Sequence, residues 1–464
     1  MLQSEFSDLI DENSSEIHPS LSLEQLSKNN EYYLYNKELL NNHLSSLPPI
    51  EAYLYFPKNE EQIIINPNNK EDIIRLIFNN VKYTSFEYKK LRNLYEEIRK
   101  NNNKKKEFFQ LPKYWNDSES VRYLQASEFK ISNTIKLIKE TINFNENYYP
   151  FQINEKIIKI LNSGLMFLCG KDKKFRPVII VNARKCTSLL NENYTIEEIQ
   201  QTIIYFLNYI IKYHLIPGQI ENWIIISDLN EVGITELSNF KKILDIFSKF
   251  RGRVFRNFIV NMGRFLKFGM KSILNFVGSS SLKKIKILNK EEIYQNLLEL
   301  INKNYIPLNY GGLLNDNLNE ENIIFPPNIP KIDFFNDLPD NILTEEDYKI
   351  KCLKSENKPL IICPFFKEKW EEEEKIKMII IEEEKQKKKL EEERDDNIRK
   401  MKTLRTNSLD EWKTYYEQIS YLIIPCNENI LNNYIPFQFN ILDVGNFNIV
   451  NNFSPLSNRN SRDT

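Results

Sequence analysis

The spacing of apolar residues divides the chain into segments of different kinds. Between Glu71 and Tyr149 the period is helical. Ile73, Ile74 and Ile77 head one predicted helix, Tyr88, Leu91, Leu94, Tyr95 and Ile98 continue the stripe, and Ile131, Ile135, Ile138 and Ile142 recur at helical steps. This predicts a small all-helical lobe over 71–150. From Glu155 to Gly312 short apolar runs alternate with amphipathic stretches, the signature of βαβ units and a largely parallel sheet. Pro177–Asn182, Asn222–Asp228 and Val254–Asn261 read as buried strands. Thr195 and Glu198 form a capping box ahead of Ile196, Ile199, Ile203, Phe206 and Ile210, and Phe240, Ile243, Leu244 and Phe247 stripe the next helix.

The flanks differ from this middle. Residues 1–70 are acidic, Asn-rich and proline-bearing, with Tyr53–Phe56 and Ile63–Ile65 as short strands or docking segments in an otherwise loose leader. The prolines at 326, 327, 330 and 339 mark a linker over 316–365. In the stretch 366–405, pairs such as Glu371/Lys375 and Glu383/Lys387 support a solvated charged helix. Leu390 is the one apolar residue from Glu382 to Asn397, which interrupts any heptad seam and favours a single helix over a coiled coil. Residues 406–464 carry aromatic and Ile-rich pieces to which no chemistry is assigned.

Composition narrows the function. Lys and Arg number 63 against 64 Asp and Glu, so no polycationic field directs the chain to nucleic acid. The five cysteines form no C-x-x-C pair, which predicts neither a disulfide framework nor a zinc ribbon and points to a reducing compartment. Only three histidines are present, without H-E-x-x-H, and G-x-S-x-G is absent. His214, at the end of a predicted helix, reads as a surface or helix-end residue. The stretch Gly164 to Lys171 imitates a phosphate loop, but its interval is apolar and strand-like, so its amides are expected in a sheet. The first residues show no basic region before an apolar run, and the most apolar stretch, Ile203–Ile211, is far below the roughly 18–20 residues that cross a bilayer. A soluble cytoplasmic protein without metal or cofactor, touching membranes peripherally, is the expectation.

Five segments in order carry a resemblance. They are Val121–Lys130 with the Ile-striped helix after it, the charged turn Gly170–Val178, the strand ending at Asp228, the run Phe250–Met262, and Ile285–Leu288 followed by a helix and Ile306–Gly312. Together they resemble the CRAL-TRIO family of lipid-binding and phospholipid-transfer proteins over about Glu71 to Asn315. The family's R-F-L-R-A-R-K-F-D looks like Arg122–Lys130, its D-x-x-G-R-P turn like Asp172–Pro177, its Y-P-E-R like Phe250–Arg253, and its E-Y-G-G like Asn309–Gly312.

The resemblance implies an α/β lipid-binding lobe over 151–315, preceded by the helical lobe, with a gate helix over an apolar cavity holding one lipid. The gate is Arg264 to Phe276. Its apolar residues, with the one that follows, are Phe265, Leu266, Phe268, Met270, Ile273, Leu274, Phe276 and Val277, and Arg264, Lys267 and Lys271 are the basic, membrane-facing ones. Ser281 and Lys284 look like the family's headgroup contacts, Lys284 as a phosphate partner. Four departures stand out: Gly252 replaces the acidic residue of Y-P-E-R, Gln125 and Ser127 replace two arginines, Phe175 replaces a glycine, and Trp223 and Ile225 occupy positions where choline-lipid binders place hydroxyls.

The expected function is therefore a non-enzymatic lipid carrier, with phosphatidylinositol as the candidate ligand. The alternatives are a non-exchanging scaffold or lipid sensor that recruits a protein partner through its C-terminal region, with Trp223 and Phe175 plugging the cavity, and an α/β enzyme with an unrecognised site.

Overall fold

The computed structural model describes residues 10–11, 37–103, 109–148, 153–233, 236–263, 266, 282–315, 325–327, 329, 338–353, 362–403, 413–414 and 417–418. The chain divides into two units, 1–370 and 371–464.

The first unit begins with two helices, α1 (Lys37–Ser46) and α2 (Ile50–Leu54), and an antiparallel hairpin, β1 (Ile63–Asn66) and β2 (Asn69–Arg75). The hairpin replaces the helix expected at Ile73, Ile74 and Ile77. These residues match a helical period, but Ile64 and Ile65 pair with Ile74 and Ile73 across a turn at Asn66–Asn69, and β-branched side chains suit that ladder. Tyr53–Phe56 departs from a strand reading too, because α2 occupies Ile50–Leu54 behind Pro49.

Three helices form the helical lobe: α3 (Ser85–Asn103), α4 (Asp117–Ala126) and α5 (Ile131–Tyr148). Leu91, Leu94, Ile98, Leu124 and Ile138 share one core there. Arg75 enters beside that core, with its Nε and Nη2 each 2.6 Å from the Glu87 carboxylate.

The α/β lobe contains α6 (Glu155–Leu161), β3 (Met166–Lys171), β4 (Pro177–Asn182), α7 (Ala183–Asn191), α8 (Ile196–Tyr213), β5 (Trp223–Asp228), α9 (Leu237–Lys249), β6 (Val254–Val260), β7 (Ile285–Ile287) and α10 (Ile293–Leu300). Its sheet runs β3-β4-β5-β6-β7, with β4 to β7 parallel and β3 antiparallel at the edge. Trp223 to Ser227 are all buried, which is why β4 and β5 read as continuous apolar runs. The capping box of α8 forms: the Glu198 amide donates to Thr195 Oγ1 at 3.1 Å, and the Thr195 amide donates to Glu198 at 2.8 Å.

Segments outside this lobe pack on it. Lys171 Nζ donates to the Ser46 carbonyl at 3.0 Å, His43 Nδ1 lies 2.6 Å from the Tyr209 hydroxyl, and Gln219 Nε2 donates to the Tyr53 and Tyr55 carbonyls. The loose-leader expectation therefore fails over 37–62, where polar residues find partners inside the fold. The linker expectation fails in part as well. Ile342 bridges Tyr55, and α11 (Glu345–Leu353) presents Tyr348 to Cys363, Phe366 and Trp370. Phe366 and Trp370 belong to the start of α12 (Pro364–Thr403), the expected charged helix, and Cys363 directly precedes it.

Candidate functional site

Lys284 precedes β7, and its half-buried ammonium donates to the Val254 carbonyl at 2.9 Å. No carboxylate reaches it among the described residues. Burial, reinforced by the like charges of Arg122 and Arg256, pulls its pKa down to about 8. Arg256 Nη1 donates to the Lys283 carbonyl at 3.2 Å. Arg253 reaches the Glu221 carbonyl at 3.4 Å and Glu119 Oε1 at 3.8 Å, and burial together with Arg122 lowers its pKa to about 10. Of these cations and Arg122, only Arg122 and Arg253 reach the carboxylates Glu119 and Glu221, Glu299 acts on Arg256, and Lys284 has none among the described residues.

Glu221 is fully buried. It accepts from the amides of Phe78, Asn79 and Gly218 at 2.8–3.0 Å, from Asn79 Nδ2 at 3.0 Å, and from Arg122 Nη2. Burial works to raise its pKa, but Arg122, Arg253 and the backbone amides outweigh it and hold the carboxyl below its ordinary range. This carboxylate joins the Phe78–Asn79 segment and α4 to the turn before β5.

Arg122 stacks on Phe78 with its guanidinium carbon 4.1 Å from the ring centroid, while its buried Nη1 has no hydrogen-bond partner. Gly252 borders that atom at φ +69°, and a Cβ there would lie 3.1 Å from both Nη1 and the Phe78 ring. The position where the resembled family carries an acid is therefore a glycine turn facing an unsatisfied donor.

At the other end of the sheet, Asp228 accepts from Asn261 Nδ2 at 3.0 and 3.1 Å, from the Tyr310 hydroxyl at 2.7 Å and from the Asn230 amide at 2.9 Å. Asn261 is held at φ +53°, and a Cβ on Gly263, two residues on, would meet no described residue within 4 Å. These residues lead into the expected gate. The turn carrying Tyr310 requires glycine, because a Cβ on Gly312 would meet the Ile306 carbonyl oxygen at 1.9 Å.

Of the expected site residues, Leu266 and Lys284 are among those described. Leu266 is buried with Ala183, Leu229, Ile259 and Met262. Arg264, Phe265, Lys267, Phe268, Met270, Lys271, Ile273, Leu274, Phe276, Val277 and Ser281 lie outside the described residues. Trp223 is fully buried against Phe250, and Phe175 packs on Tyr55 at a centroid distance of 5.8 Å. A small cleft between α6, β3 and α8, lined by Ile160, Leu161, Leu165, Met166, Thr202, Ile203 and Phe206, has room for about one water molecule.

His214 corrects a second expectation. It caps the C-terminus of α8 but is 1% exposed, and neither ring nitrogen makes a hydrogen bond. Gly170 and Lys171 lie in β3, as expected of a strand rather than a phosphate loop. Among the described residues, no group of His, Cys, Asp and Glu is placed to hold a metal, and no helix is long and apolar enough to cross a membrane. The sequence reading missed Glu119, Glu221 and the orphan Nη1 of Arg122, although the exchange of an acid for Gly252 pointed to the same place.

Residues 161–312 match the family model described as CRAL/TRIO domain. No curated protein matches the sequence. Among solved structures, the crystal structure of Sfh5 is similar at 15% identity and a TM-score of 0.39, covering 54% of this chain and 95% of that one. The matched stretch is the α/β lobe with its five-stranded sheet, from the end of α6 through the Gly311–Gly312 turn.

Proposed function

We propose that this chain binds one phospholipid with an anionic headgroup and exchanges it at membrane surfaces, the phosphate resting against Lys284. The observation that supports this reading is the cation excess: Lys284 has only a backbone carbonyl as partner, and Arg122 Nη1 beside it has none. A phosphate supplies the negative charge that Lys284 lacks and the acceptor that Arg122 Nη1 lacks. The acyl chains would lie beneath the segment from Arg264, whose Lys267 and Lys271 would meet the bilayer. Transfer needs such a cover, since each methylene exposed to water costs about 0.8 kcal/mol. No bond is made or broken, and Lys284 is a binding residue. Phosphatidylinositol is the first candidate, and Gly252 opens the site to phosphate-bearing headgroups that lack an inositol ring.

The test is native mass spectrometry of the purified protein with lipid extraction, followed by uptake of labelled lipids by the wild type and Lys284→Ala. The expected result is one co-purified phospholipid per chain, with uptake of the anionic lipid weakened at least about tenfold by the substitution and phosphatidylcholine little affected. A protein that co-purifies with no lipid and takes none from vesicles would overturn the reading in favour of a scaffold.

A further inference from the structure

Beyond Trp370, helix α12 carries most of its apolar residues in one short block. Ile376, Met378, Ile379, Ile380 and Ile381 are between 45% and 67% exposed, an unusual density of bare isoleucine on a solvated helix. Charges are arranged antisymmetrically about this block: Glu371 to Glu374 and then Lys375 and Lys377 on its N-terminal side, Glu382 to Glu384 and then Lys385, Lys387, Lys388 and Lys389 on its C-terminal side. At 100° per residue, Glu372, Ile376, Ile379, Ile380, Glu383 and Lys387 fall on one face.

That order is complementary to its own reverse. Two copies laid antiparallel and centred between Ile379 and Ile380 place Ile379 of each against Ile380 of the other and Glu372 against Lys387. The acidic block of one copy then runs beside the basic block of the other. A parallel pairing in register would instead set glutamate on glutamate and lysine on lysine, which is repulsive. The seam is short, because Leu390 is the sole apolar residue between Glu382 and Asn397.

We infer that the α12 face around Ile379 and Ile380 is a self-association surface, which pairs antiparallel with the same face of a second copy of this chain. Eighteen residues of helix span about 27 Å, so the contact falls short of the roughly 800 Å² per partner of a standard interface. The dimer is accordingly weak and reversible, with a dissociation constant on the order of 10 μM. Its charged flanks make it weaken as salt rises.

Sedimentation equilibrium of the full chain over about 1–100 μM reads this directly. The expected result is a monomer–dimer equilibrium that Ile379→Asp with Ile380→Asp weakens at least about tenfold. Two reversals separate this pairing from any other. One is Glu371→Lys, Glu372→Lys and Glu374→Lys; the other is Lys385→Glu, Lys387→Glu and Lys388→Glu. Each alone should give a monomer, their mixture a heterodimer, and the two combined in one chain a restored homodimer. All these positions lie on a solvated helix, and circular dichroism confirms that the helix persists. A chain monomeric throughout the range overturns the inference, as does a dimer indifferent to the aspartates or a mixture of reversed variants that fails to pair.

Discussion

Two buried charged clusters hold the first unit together, and they are built in opposite ways. At Glu221, a carboxylate receives Arg122 and four further N–H donors, so the negative charge introduced into the interior is fully partnered. At Lys171, an ammonium is surrounded by carbonyls, aromatic rings and two histidines. His214 faces Lys171, His43 from α1 and Tyr209 from α8, His43 packs on Tyr209 and Tyr213, and Lys171 donates to the Ser46 and Leu47 carbonyls. No carboxylate is among them. The first cluster joins the helical lobe to the domain and is indifferent to pH near neutrality. The second joins α1 to the same domain and holds only while its histidines stay neutral.

The largest effect that separates the two follows from removing the negative partner. Glu221→Gln leaves Arg122 and Arg253 buried with only the partly exposed Glu119 to balance them. Breaking one side of a buried pair costs about 3–5 kcal/mol, and the urea midpoint should fall accordingly at unchanged m-value. A loss below about 1 kcal/mol would mean that water reaches Arg122 and that the contrast is mistaken.

Acidification should act on the other cluster. Burial lowers the pKa of His43. Burial, then the charges of Lys171 and His43, lowers that of His214 further. A detached α1 leaves both histidines near 6.5, so below that pH the detached form binds more protons and docking weakens. Each histidine contributes up to about 1.4 kcal/mol per pH unit. Lys171, depressed by burial to about 8, acts in the same direction at higher pH. Hydrogen exchange should therefore show 37–47 losing protection between pH 7.5 and 5.5 while the β5 amides keep theirs, and His214→Phe should reduce the loss. Equal loss in both regions would indicate general acid unfolding.

The contrast was only half visible in the sequence, and contact distance along the chain explains which half. Features set by neighbours in sequence were legible: the Thr195–Glu198 box, the apolar runs of β4 to β6, and the glycine turn that ends the domain. The hairpin at Ile73 was misread because its period fits a helix and the deciding partner, Ile65, belongs to another segment. Glu221 gave no local signal, since Arg122 is 99 residues away and Phe78 is 143. His214 looked like a helix end and is one, but its burial depends on α1, whose polar composition suggested solvent. Of the candidate site, Lys284 was found through its place before β7. The unpartnered Nη1 of Arg122 emerged only when Gly252 was seen beside it.

The smallest effect tests whether the Glu221 cluster is over-determined. Asn79 supplies two of its donors, and Asn79→Ala removes the side-chain one while leaving the backbone amide at 2.9 Å. The carboxylate then keeps Arg122 and the amides of Phe78, Asn79 and Gly218, so no charge is stranded. The loss should be that of one hydrogen bond, about 1–1.5 kcal/mol, well under that of Glu221→Gln, and read by the same urea titration. A cost equal to that of Glu221→Gln would show that the Asn79 side chain positions the carboxylate for Arg122. The cluster would then depend on one neutral contact as much as on its charges.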